Sequence, residues 1–148
     1  LSDGHRILAT HPFLQKKLAS AIAASVSSKQ SGMFVIFHVD WRFQHEIGVS
    51  HLMEATDRLS TSFRNFELIE ITANTLAIVV EKIGSAVEAR TQLEMMLNRL
   101  EDHFEFQAHM AVPRICAGFV LFPAQAASSK ASLIKANIAL EKAKGMHV

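Results

Sequence analysis

The sequence predicts a mixed α/β domain of the α+β kind. Its expected core is a mostly antiparallel five-stranded sheet flanked by helices, with a ferredoxin-like or palm-like arrangement. Three observations predict this. Phe66–Lys82 reads as strand, tight turn, strand: Phe66, Leu68, Ile69 and Ile71, then Thr72-Ala73-Asn74-Thr75, then the unbroken apolar run Leu76–Val80. Apolar runs at Met33–Val39 and Ile115–Phe122 are long enough for strands buried on both faces. The predicted order α-β-α-β-β-α-β-β-α places a hairpin at the centre, which disfavours a doubly wound parallel sheet and suits helices crossing between antiparallel strands.

In chain order, residues 6–28 predict a helix. Pro12 suits its first turn, and Phe13, Leu14, Leu18, Ala21, Ile22 and Val26 form its stripe. Residues 1–30 thus form an N-terminal helix and linker leading into one domain spanning 1–148. The polar loop Ser27–Gly32 ends the helix, with a glycine near the stop. After the first strand come a helical turn at Trp41–His45 and a helix over Val49–Phe63. Beyond the hairpin, residues 84–103 predict a helix with Val87, Leu93, Met96, Leu97 and Leu100 on one side, its charged stretch Glu94–Asp102 being solvated. Phe104–Val112 and Ile115–Phe122 predict two more strands. Leu133, Ala136, Leu140 and Ala143 mark the last helix, ending at Gly145.

At 148 residues and 49% hydrophobic, the chain can bury one proper core. Fifteen basic residues against 14 acidic ones, net +1, give no field that would draw it to DNA or an acidic membrane. No apolar run approaches the roughly 20 residues of a membrane span, and no signal peptide is read. The single cysteine, Cys116, lies among apolar residues and reads as inert core of a reduced compartment. Met95, Met96 and Met110 read as packing material, and Trp41 as core. The chain opens on Leu1-Ser2-Asp3 and stops at Met146-His147-Val148, and is expected to be a domain of something longer.

Eight histidines raise a metal reading. His45 and His51 are six apart and do not share a helix face as an i, i+4 pair does. His38 and Asp40 share one face of a strand end, and could offer a nitrogen–oxygen pair or simply line a polar sheet edge. No G-x-S-x-G or Walker pattern is present.

Several segments resemble the GGDEF domain of diguanylate cyclases. Phe34–Asp40 is similar to that family's first strand, which runs into D-x-D-x-F. Ile71–Val79 falls where the family has its signature hairpin, G-G-D/E-E-F and an apolar strand. Cys116-Ala117-Gly118 through Pro123 resembles S-x-G-x-x-x-x-P, and Leu133–Lys144 resembles the terminal L-L-x-x-A-D-x-A-L-Y-x-A-K helix. The family's L-T-G-L-x-N-R lead-in is missing. The resemblance implies a palm-like nucleotidyl-cyclase fold in which two GTP-loaded domains make cyclic di-GMP, with a divalent ion held by carboxylates at the first strand end and in the turn.

Carried over residue by residue, most of that machinery is replaced. The strand-end carboxylate falls on His38, or on Val39 with a shift of one. The signature falls on Thr72, Ala73, Asn74, Thr75 and Leu76, whose Cβ atoms at 72 and 73 would crowd a backbone meant to lie against phosphate. Asp40 matches the second aspartate, and Glu46 lies near the guanine-contacting asparagine. The second guanine contact falls near Ala55 or Thr56. Lys144 matches the phosphate-contacting lysine, and Val148 stands where its arginine partner would be. His38, Asp40, Glu46 and Lys144 therefore line a vestigial nucleotide cleft, and Arg64 with Glu67 reads as a remnant of the product-inhibition R-x-x-D.

The expectation is a bacterial, cytoplasmic, catalytically inactive regulatory domain, or the cytoplasmic part of a membrane-anchored protein. No cofactor or metal is expected, with GTP as a candidate effector. The expected partners are an adjacent EAL domain, another signalling protein or a second copy. An enzyme relocated to His38 and Asp40, or a regulator of RNA turnover, is the alternative.

Overall fold

A computed structural model describes residues 11–40, 66–72, 74–108 and 114–145. The expected elements at Trp41–His45 and Val49–Phe63 lie outside these, as do the side chains of Trp41, His45, Glu46, His51, Arg64, Ala73 and Met110.

Helix α1 spans Pro12–Ser28. Pro12 begins it, where its missing N–H is no loss, and the His11 Nδ1 accepts from the Leu14 N–H at 3.2 Å. Its end is set by Lys29 in the left-handed region (φ 59°), not by Gly32. The Gln30 N–H reaches the Ser25 carbonyl at 3.0 Å and the Lys29 N–H the Val26 carbonyl at 3.4 Å, a Schellman motif. Leu14, Leu18, Ala21 and Ile22 are buried as expected, whereas Phe13 and Val26 face outward.

Strand β1 (Ser31–Asp40) is followed, among the described residues, by β2 (Phe66–Thr72) and β3 (Thr75–Ile83), the predicted hairpin. Helix α2 runs Ala86–Ala108, capped by the Ser85 hydroxyl accepting from the Glu88 N–H at 3.1 Å while the Glu88 carboxylate accepts from the Gly84 N–H at 2.8 Å. Residues 104–108 therefore continue this helix rather than opening a strand; the rest of that expected strand lies outside the described residues. Val87 and Met95 are exposed on α2 instead of packed, while Leu93, Met96 and Leu100 are buried. Strand β4 spans Arg114–Phe122 and helix α3 spans Ser129–Gly145.

The four described strands are ordered β2-β3-β1-β4, every neighbouring pair antiparallel. The fold class is thus the predicted one, a mixed α+β domain with helices on both faces of an antiparallel sheet. β1 and β3 are the interior strands, which is why their sequences are apolar without a break. Phe34, Ile36, Ala77, Val79, Val120 and Phe122 face α1 and α3. Met33, Val35, Phe37, Leu76, Ile78 and Val80 face α2. Gly118 lets α3 lie directly on β4: a Cβ there would press on the Ala136 carbonyl oxygen and sit 2.7 Å from the Leu140 Cα.

Candidate functional site

The β2–β3 turn closes tightly because Asn74 organises it. Its carboxamide oxygen accepts from the Thr72 hydroxyl at 2.6 Å and the Thr75 hydroxyl at 3.3 Å, and its N–H donates to Thr72 Oγ1 at 3.3 Å. Its main-chain carbonyl accepts from the Val39 N–H at 2.8 Å, which ties the turn to the end of β1. Leu76, the last residue of the expected signature, is fully buried beneath it on the α2 side.

At that same end, pairing places His38 between Thr75 on β3 and Cys116 on β4. All three point to the face covered by α3, since alternation puts His38 in line with Phe34 and Ile36. Asp40 is two residues on and pairs in register with Arg114. The Arg114 guanidinium donates to the Lys144 main-chain carbonyl at 3.5 Å, and Lys144 Nζ lies 3.5 Å from Glu141. His38 is half-buried. Burial first, then the Lys144 ammonium, hold its imidazole below the ordinary value of 6.5, with Asp40 and Glu141 partly opposing. The ring is neutral at physiological pH.

Of the residues singled out in the sequence, Thr72, Asn74, Thr75, His38, Asp40 and Lys144 gather at this end. Glu67 does not: it forms an exposed ion pair with Lys17 of α1 at 3.3 Å. Arg114 and Glu141 join the group without having been expected. Arg114 carried no signal: it was read as lying just before the strand at Ile115–Phe122, whereas it is the first residue of β4, and its place beside Asp40 depends on the β1–β4 register. Glu141 sits one turn before Lys144, a spacing at which helical side chains meet. A small cavity of about 50 Å³ lies at the opposite end of β1, lined by Ser25, Ser28, Gln30, Glu81, Lys82 and Phe122. It is much smaller than the several hundred Å³ of a typical ligand pocket.

An antiparallel sheet with its hairpin turn and first strand end brought together under the last helix is the palm-like architecture of a nucleotidyl-cyclase domain. The chain belongs to the GGDEF family: the family described as diguanylate cyclase, GGDEF domain, matches residues 3–147. Solved structures agree on the fold. The chain is similar to the active GGEEF domain of a diguanylate cyclase from Vibrio cholerae (18% identity, TM-score 0.77, 91% of this chain and 90% of that one). It is also similar to a sensory box/GGDEF family protein from Caulobacter crescentus (19% identity, TM-score 0.69, 92% of each chain). A third likeness is to an EAL/GGDEF domain protein from M. capsulatus (18% identity, TM-score 0.65, 93% of each chain). No curated protein sequence matches the chain. Membership of this family ties the domain to cyclic di-GMP signalling.

Proposed function

We propose that this domain is a catalytically inactive GGDEF domain that regulates or recruits rather than synthesises. The observation that carries the reading is the composition of the turn and strand end. Magnesium is a hard cation that favours carboxylate oxygens. The turn offers an asparagine whose carboxamide oxygen already accepts from two hydroxyls, and the strand end offers a half-buried imidazole beside a lysine. Among the described residues of the turn and of the end of β1, Asp40 is the one carboxylate, and its cross-strand neighbour is an arginine. These donors do not fit a magnesium ion held between two carboxylates.

Lys144, Arg114 and the neutral His38 still offer nitrogen donors that suit a nucleotide phosphate without a metal, with Asp40 and Glu141 beside them. GTP is therefore proposed as an effector and not as a substrate. The proposed partner is an EAL domain or another signalling protein, in line with the M. capsulatus neighbour described as an EAL/GGDEF domain protein. The proposed location is the bacterial cytoplasm; no helix among the described residues is long and apolar enough to cross a membrane. A chemistry relocated to His38 and Asp40 is the second reading, favoured by a neutral imidazole beside a carboxylate on the same strand face.

The test is calorimetric titration of the chain with GTP, with and without magnesium, and then with cyclic di-GMP. Magnesium-independent binding of GTP without turnover is the expected result. Consumption of GTP would contradict the inactive reading, and its products would decide between family chemistry and a relocated site.

A further inference from the structure

We propose that the chain associates head to tail with copies of itself, the outer face of α3 in one copy seating on the outer face of α2 in the next. The inference concerns two surfaces away from the turn and does not depend on whether nucleotide is bound or turned over. α3 buries Leu133, Ala136 and Leu140 against the sheet. At helical spacing, its opposite side presents Ile134 and Ile138, four residues apart, and Ile138 is 48% exposed. α2 buries Leu93, Met96 and Leu100 on the other face of the sheet and presents Val87, Thr91 and Met95 outward, with Val87 75% and Met95 47% exposed. Each outer face is thus a short apolar stripe on a helix whose other side is fully used by the core.

Charge selects the pairing. α3 carries four lysines against one glutamate, and α2 five acidic residues against two arginines. Lys135 and Lys142 lie seven apart along one edge of the α3 stripe, with the Lys135 ammonium resting on the Gln125 carbonyl. Glu94 and Glu101 lie seven apart along one edge of the α2 stripe. With the two helices parallel, Lys135 and Lys142 face Glu94 and Glu101, while Glu141 on the far edge faces Arg99. Ile138 then falls between Met95 and Asn98. An α3–α3 contact would bring two lysine-rich helices together and an antiparallel one would set lysine edge against lysine edge; an α2–α2 contact would do the same with carboxylates, so the two faces prefer each other. Because they lie on opposite sides of the sheet, the contact is heterologous and does not close into a two-fold dimer.

Sedimentation velocity of the chain over a concentration series tests this. The mass should grow past that of a dimer as concentration rises and shrink as salt is added. Ile138→Asp and Met95→Asp should each abolish species heavier than monomer, with circular dichroism unchanged. Mixing the two variants should restore a one-to-one pair, since each retains the face the other lacks. Lys142→Glu should weaken association and Lys142→Glu with Glu101→Lys should recover it. A chain that stays monomeric throughout, a closed dimer that mixing does not rescue, or a charge swap without recovery would overturn the proposal.

Discussion

The side chain of Asn74 holds the turn by accepting two hydroxyl hydrogen bonds. Asn74→Ala leaves both hydroxyls to find other partners and should cost about 1 kcal/mol in a denaturant melt. His38 gives a pH signature. Its imidazole is held below 6.5 in the fold by burial and Lys144, so between 6.5 and its lowered folded value the unfolded chain binds more protons. Stability is full above that window and falls as pH drops through it. His38→Asn should flatten the acid side of the Tm-versus-pH curve relative to the unaltered chain; an unchanged slope would refute the assignment. Ser132 is a contrary case, its buried hydroxyl having no hydrogen-bond partner among the described residues. Ser132→Ala should leave stability unchanged or raise it, because it removes an unpaired buried polar group. His38 and Asp40 were legible from their shared face at a strand end, and Lys144 from the resemblance of the last helix to the terminal helix of GGDEF domains. Arg114 was not, because sequence spacing does not report which residues a strand register sets side by side.

Helices and strands that alternate or repeat in hydrophobicity were read directly, and the places where the reading slipped have local causes. The stop of α1 at residue 28 was read where the structure has it, but the glycine near that stop, the residue type that adopts positive φ most cheaply, is not the one in the left-handed turn. The structure uses Lys29 for the left-handed turn and buries Gly32 in β1. Lys29→Gly should therefore stabilise the chain by roughly 1 kcal/mol, the cost of an L side chain in that region, as read by chemical denaturation. The end of α2 was set too early because Phe104 and Phe106 alternate like a strand, although the helix continues to Ala108. Gly118 is where β4 and α3 touch backbone to backbone. Gly118→Ala should lower stability by about 2 kcal/mol through overpacking. Because α3 carries Lys144, the same change should also shift the ionisation of His38. Equal stability of this variant would mean that α3 does not lie on β4 as described.

At the scale of the whole molecule, the described residues form one core on either face of the sheet, while the turn and the end of β1 carry threonine, asparagine and histidine. Packing and chemistry occupy different residues, so a fold can persist when its site has changed. The buried runs made the fold legible. The outer surface was less so: periodicity drew Val87 into the core stripe of α2 and Met95 was read as packing, yet both are exposed, as is Ile138. The most direct test of the account is a product assay: the chain at high concentration with GTP and magnesium, sampled over hours for cyclic di-GMP. The account predicts none above a protein-free control, with GTP recovered intact. Cyclic di-GMP accumulating in proportion to protein would contradict it and return the domain to the cyclases.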